Sequence, residues 1–155
     1  MTVREMAEKD RPYLDDFLYD AIFVPEGETP PPYEIIYRPE LQVYVTDLGH
    51  MKDDHILIAE EDGKIIGACW ARIMDDYGHV DDETPSIIIS VKAPYRGKGT
   101  GTALLSELIS RLKTKGYARV SLSCQKANRA LRLYIRSGFS VAEDKGDEYI
   151  MVKEL

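Results

Sequence analysis

Residues 93 to 105 read APYRGKGTGTALL, with glycines at alternate positions (Gly97, Gly99, Gly101) and the basic residues Arg96 and Lys98 threaded among them. An apolar run precedes this stretch and a helical pattern follows it. The chemistry it suits is the holding of an anion. A helix N-terminus presents unpaired N–H groups and a partial positive charge. Glycines let the backbone approach closely because no Cβ intervenes, and the basic pair adds charge-assisted donors. A phosphate or pyrophosphate is the natural occupant. Two phosphate fingerprints fail here. The dinucleotide pattern G-x-G-x-x-G ends on Thr102 when counted from Gly97 and on Leu104 when counted from Gly99. The P-loop pattern needs Ser or Thr after its lysine, and Lys98 is followed by Gly99.

Other residues able to do chemistry are scattered. Cys69 and Cys124 sit far apart inside apolar patterns, so they form no disulfide framework, and no CxxC pair or metal spacing points to zinc. No His or acidic partner follows Cys124 at a recognisable spacing, which makes it a packed thiol rather than a nucleophile. Arg129, Arg132 and Arg136 fall on one helical face, which reads as solvated. The net charge of −7 over 155 residues argues against nucleic acid as a partner and favours cationic substrates. The N-terminus lacks the apolar stretch of a signal peptide and no run is long enough to span a membrane, so a cytoplasmic protein is expected.

These groups need elements to position them. TVREM alternates like a short strand, and RPYLDDFLYDAIF has helical spacing. The prolines of VPEGETPPPY make a loop. EIIYRPELQVYVTDLG is expected to be helical, broken near Pro39 and stopped at Gly49. HILIAEEDGKIIGACWARI is a hairpin about its Asp-Gly pair. SIIISV is a β-branched run of the kind buried on both faces. Leu104, Leu105, Leu108, Ile109 and Leu112 share a helical face ending at Gly116. ARVSLSCQ is a strand, NRALRLYIRSG a short helix and the C-terminus a hairpin around DKGDE. Residues 1 to 155 are expected to form one domain, an α/β sheet with helices on its faces.

One pattern does fit the loop. Arg96, Gly99 and Gly101 satisfy [QR]-x-x-G-x-[GA], and Asn128, Leu133-Tyr134 and Gly138-Phe139 follow in order. With the strand IIISV before the loop, residues 86 to 139 resemble the GNAT superfamily of N-acetyltransferases, whereas residues 1 to 60 carry no diagnostic motif. The resemblance implies a mostly antiparallel, twisted sheet of about six to seven strands with one splayed parallel pair. It also implies acetyl transfer from acetyl-CoA to a primary amine of a small molecule or peptide, by direct attack in a ternary complex. Family dimers make a homodimer an open expectation.

By the same resemblance, the loop from Arg96 through Gly97, Lys98, Gly99 and Thr100 to Gly101 takes the pyrophosphate. Strand backbone at Ser90 and Val91 holds the pantetheine arm, with an N–H near Val91 polarising the thioester oxygen. Tyr134 is the candidate general acid: a phenol titrating near ~10 can donate to a thiolate whose acid titrates near ~8.5. On its residues alone, without the motif, Tyr134 reads as a core side chain of an apolar helix. Asn128 bonds the cofactor or caps the following helix. The base is less well marked. The family's strand glutamate falls here on Pro85. Glu83, two residues earlier and on the same face if the strand extends so far, is one candidate; His79 and water are the others, and a solvated loop is the plain account of Glu83. The loop before Tyr33 and Tyr37 and the acids Asp75, Asp76, Asp81, Asp82 and Glu83 are expected to wall the acceptor side. A non-catalytic acyl-CoA-binding module is the alternative reading, kept open by the missing strand glutamate.

Overall fold

The structure is a computed structural model that describes residues 1–155. Its strands are β1 (Thr2–Glu5), β2 (His55–Glu61), β3 (Lys64–Arg72), β4 (Ser86–Val91), β5 (Arg119–Gln125), β6 (Ser140–Asp144) and β7 (Glu148–Glu154). The α-helices are α1 (Leu14–Ala21), α2 (Pro39–Gln42), α3 (Thr100–Thr114) and α4 (Ala130–Arg136). One seven-stranded sheet runs β1-β2-β3-β4-β5-β7-β6. Every neighbouring pair is antiparallel except β4 and β5. No helix is long and apolar enough to cross a membrane.

The Asp-Gly signal makes its turn: Asp62 and Gly63 take φ of 51° and 75°, as a two-residue hairpin between twisted strands demands. Helix α3 buries Leu104, Leu105, Leu108 and Leu112 against one face of the sheet, joined there by Tyr134 and Phe139. Each such leucine contributes about 1.5–3 kcal/mol by leaving water. The opposite face is covered by Phe17 and Leu48 around Trp70, and by Leu18, Ile36, Tyr44 and Met74. Helices therefore lie on both faces, as the sequence implied.

The 34–49 stretch departs from the helix expected of it. A 3-10 turn (Tyr33–Tyr37), the single turn of α2 and further turns replace a regular helix. The reason lies on β3. Arg72 Nη1 donates to the carbonyls of Val43 (3.2 Å) and Thr46 (2.8 Å), and Trp70 Nε1 donates to Tyr44 O (2.9 Å). These buried side chains take carbonyls that a helix would have kept for its own amides. Arg72 is completed by Asp54, whose Oδ1 lies 3.1 Å from its Nε, with side-chain exposures of 7% and 1%. Removing one partner of a pair this buried strands the other. Asp54→Ala is expected to cost about 3–5 kcal/mol, read as a lowered urea midpoint with unchanged slope; a loss under about 1 kcal/mol would mean that water replaces the carboxylate.

Candidate active site

The strands β4 and β5 diverge almost as soon as they meet. Only Ser86 pairs with Ser121, and Ser121 N donates to Pro85 O at 3.0 Å. Beyond that pair the sheet opens. On the other edge of β4, Lys92 N donates to Ile66 O on β3 at 2.8 Å, with Val91 opposite Gly67 and Ser90 opposite Ala68. Antiparallel pairing alternates along a strand. Ser90 therefore turns its amide to β3, as Lys92 does, while the N–H and C=O of Ile89 and Val91 face the gap. This separates two residues that the sequence reading had grouped. Val91 offers backbone to the gap; Ser90 does not, although its buried Oγ has no hydrogen-bond partner. Ile89 was missed, and counting strand parity from Val91 would have found it. The gap also explains why Ile88, Ile89 and Val91 are only partly buried in a run that reads as doubly covered.

At the mouth of the gap the chain turns through Ala93–Tyr95 into the glycine loop. Gly99 caps α3 at φ 85° and ψ 2°, a left-handed conformation that any Cβ would strain. Ala103 N makes the first helical bond, to Gly99 O at 3.0 Å. The N–H groups from Gly97 through Thr102 consequently find no acceptor within the protein. A Cβ on Gly97 or Gly99 would meet nothing within 4 Å, so the space above the loop is open. Arg96 Nε donates to Val91 O at 2.8 Å and latches the loop to the end of β4. Lys98 stands 5.8 Å over the Tyr95 ring, and Thr100 is buried at the start of the helix. A row of free amides beside a helix N-terminus and two cations can hold a diphosphate.

Tyr134 comes from α4 on the α3 side of the sheet, 8% exposed, its ring 5.9 Å edge-on from Phe139. Burial pushes its phenol well above the ordinary range, with the nearby Cys124 and Cys69 thiols adding to the effect. The phenol is therefore held in its protonated, donor form. Cys124 is itself pushed up to about 11 by burial and stays a thiol. Asn128 Oδ1 accepts from Ala130 N at 2.9 Å, so the capping reading is realised and its amide NH2 is left for a further partner.

The acids do not form one wall. Glu83 is exposed in the loop before β4, which begins at Ser86; its own N–H donates to Asp81 Oδ1 at 2.9 Å. The strand does not extend to it, so the shared face on which it was a candidate base is absent. Asp75 and Asp82 are exposed, and Asp81 pairs with Arg119, which holds it down at about 2. Asp76 alone turns inward, accepting from Ser86 Oγ at 2.8 Å. Its place depends on how the β3–β4 loop folds, and no spacing in the sequence marks it. His79 Nε2 lies 3.4 Å from Asp82, with its Nδ1 buried and unpartnered. Tyr33 and Tyr37 do stand together beside Tyr19, and Tyr33 donates to Asp16 at 2.8 Å.

The acetyltransferase (GNAT) family profile matches residues 17–139. The chain belongs to that family. It is similar to the mycothiol acetyltransferase of Propionibacterium freudenreichii subsp. shermanii, 33% identical over 88 residues, which cover 56% of this chain and 28% of that protein. A second mycothiol acetyltransferase, from Thermomonospora curvata, is 31% identical over 55% of this chain and 27% of its own length. The match thus spans little more than a quarter of these relatives. Among solved structures, the PaiA N-acetyltransferase of Thermoplasma acidophilum in complex with coenzyme A superimposes with a TM-score of 0.73 at 21% identity, over 99% of this chain and 98% of that one. The putative acetyltransferase YncA of Salmonella typhimurium, solved with acetyl-CoA, gives 0.71 at 21% identity over 100% and 94%. At such identities the likeness is one of fold, and the splayed seven-stranded GNAT sheet is that fold.

Gly99→Val forces a β-branched residue into the left-handed cap at a cost of about 1–2 kcal/mol. Its dissociation constant for coenzyme A, measured by calorimetry, is expected to rise about tenfold with the urea midpoint of the apo-protein lowered by a comparable free energy; unchanged affinity would remove the loop from the binding surface.

Proposed function

We propose that this protein transfers the acetyl group of acetyl-CoA to a primary amine of a small molecule or peptide, by direct attack while both substrates are bound. The observation that carries the reading is one gap with three properties: free amides from Gly97 to Thr102 at its mouth, free strand amides at Ile89 and Val91 along it, and the protonated phenol of Tyr134 beside it. Acetyl-CoA brings an acyl group on a thiolate leaving group. The loop amides, with Arg96, Lys98 and Thr100, hold the diphosphate. The amides of Ile89 and Val91 orient the arm and meet the carbonyl oxygen as it gains charge, the type of stabilisation that usually counts most. Asn128 positions the arm through its free NH2 group. Tyr134 supplies a proton at the sulfur. No covalent acyl-enzyme is needed, because Cys124 is a buried, protonated thiol.

The acceptor enters from the face opposite α3, where Tyr33, Tyr37 and α1 lie. Its chemistry is that of an amine; the acids that would have favoured a polycation are dispersed rather than gathered.

Free-thiol release from acetyl-CoA, followed across a panel of primary amines, tests the proposal. Amine-dependent release is expected. Tyr134→Phe is expected to lower kcat by about 10²-fold or more with coenzyme A affinity preserved, and equal rates would remove Tyr134 as the acid. Cys124→Ala is expected to keep most of the parent's turnover; an inactive variant that still folds and binds coenzyme A would overturn direct transfer. Coenzyme A binding without release to any amine would replace the enzyme with an acyl-CoA-binding module.

A further inference from the structure

The face of β4 turned away from α3 carries Ser86, Ile88 and Ser90, since Ile87, Ile89 and Val91 pack toward α3. Two of these three are serines in an otherwise apolar strand, and each has a distinctive setting. Ser90 Oγ is buried, at 5% residue exposure, with no partner. Ser86 Oγ donates to Asp76 Oδ1 at 2.8 Å and lies 3.5 Å from Ser121 Oγ. Ser86 and Ser121 are the one residue pair that joins β4 to β5. The Asp76 carboxylate therefore stands at the point where the gap begins, on the side from which an acceptor would come.

The β3–β4 loop is built to keep it there. Gly78 rests backbone-to-backbone on β5: a Cβ at this position would lie 2.9 Å from Leu122 C and from Ser123 N. Ser121 Oγ donates to Gly78 O at 2.7 Å, and His79 N donates to Asp76 O at 3.3 Å. Farther along, Arg119 grips both Asp81 and Thr84. A loop with exposed acids on either side is thus clamped over the seam, with one acid aimed inward.

The surroundings of that acid suit proton transfer. No lysine or arginine pairs with Asp76, although Asp10, Asp54, Asp81 and Asp144 all have such partners. The groups about it are neutral: the Ser86 hydroxyl donates to it, and the Gly78 N–H and the Tyr44 hydroxyl stand nearby, with Tyr77 adjacent in its own loop. Burial raises its pKa against the pull of those hydrogen bonds. A carboxylate held by a cation is a poor base; one held by hydroxyls in a half-buried site is a better one.

We propose that Asp76, held by Ser86 at the closed end of the β4–β5 gap, accepts the proton of the incoming amine across one water. The inference rests on the reading of this gap as the acetyl-transfer site. Ser86 and Ile89 are three residues apart, about 10 Å along a strand. An amide contact to the thioester oxygen, the reacting carbon and nitrogen, and one bridging water fill that length. An ammonium acceptor gives one proton to Asp76. The freed lone pair forms the C–N bond, the C–S bond breaks and its electron pair goes to sulfur. Tyr134 protonates the sulfur and recovers its proton from the new amide nitrogen through solvent. Asp76 releases its proton to water, so one proton leaves for each acetyl transferred.

The test is the pH dependence of kcat/KM for the parent, Asp76→Asn and Ser86→Ala with the best amine of the panel, beside calorimetric binding of coenzyme A. Asp76→Asn is expected to bind coenzyme A as the parent does and to lose about 10²–10³-fold in kcat/KM at pH 7. Its rate should then rise tenfold per pH unit and approach the parent's near the pKa of the amine itself. Ser86→Ala removes a donor that favours the charged carboxylate, so its acid limb should move to higher pH while its plateau is retained. Parent-like rate and profile in Asp76→Asn would overturn the assignment of Asp76 while leaving acetyl transfer in place. If Asp76→Asn fails to bind coenzyme A, Ser86→Ala decides, and an unmoved acid limb overturns the assignment. A parent that releases no thiol with any amine overturns the acetyl-transfer reading itself.

Discussion

One parallel pairing, abandoned after a single residue pair, organises this molecule. β4 and β5 meet at Ser86 and Ser121 and then part. A sheet that stayed closed would consume the amides of Ile89 and Val91 in its own ladder. By opening, it leaves them facing a gap into which a slender ligand can lie as a substitute strand. The end of the gap coincides with the glycine loop, because β4 runs into Ala93–Tyr95 and then into the cap of α3. The free amides of the helix start and the free amides of the strand therefore line one continuous track.

Unpaired backbone is costly where water is excluded, and the fold confines that cost. Val91 O is satisfied by Arg96, so the groups left open at the mouth are the donors of Val91 and the loop, and Ile89 O is the strand acceptor that still faces the gap. That asymmetry favours an anionic and carbonyl-bearing ligand. The antiparallel ladders on both sides of the gap are continuous, from β1 to β4 and from β5 through β7 to β6, apart from one register shift at Ala59–Glu60 and one between Val141 and Glu143. The two halves of the sheet are joined by a shared core, in which the α3 leucines, lying over β1 to β4, cluster with Val120 and Leu122 of β5 and Met151 of β7, and by the loop resting on β5 through Gly78.

The chain sorts its ionisable groups by partner. Carboxylates that fasten the fold are paired with arginine: Asp10 with Arg4, Asp54 with Arg72 and Asp81 with Arg119. Tyr134 and Asp76 have no such partner, and burial is the largest influence on their state, opposed at Asp76 by hydrogen bonding. Tyr134 stays a neutral donor because an ion there would lack solvent, and Asp76 is eased toward its protonated form for the same reason. A net charge of −7 is compatible with an anionic ligand because the cations Arg96 and Lys98 stand locally at the loop.

Much of this was legible without coordinates. Glycine spacing with Arg96 and Lys98, the leucine face of α3, the Asp62-Gly63 turn and the order Asn128, Tyr134, Phe139 all depend on local conformation, which neighbouring residues dictate. They were sufficient to specify the sheet, the loop and the candidate proton donor. What could not be read depends on contacts between distant segments. Arg72 and Trp70 draw the carbonyls of Val43, Tyr44 and Thr46 away from a helix that periodicity favours. Ser90 and Val91 look alike as strand backbone until the partner of Lys92 sets which of them faces the gap. Glu83 and Asp76 are two acids in one loop, and only the seating of Gly78 on β5 decides that Asp76 turns inward. The sequence by itself determined the elements and the chemistry they carry. The tertiary structure alone decided register and the aim of individual groups, because these are set by hydrogen-bond partners far away along the chain.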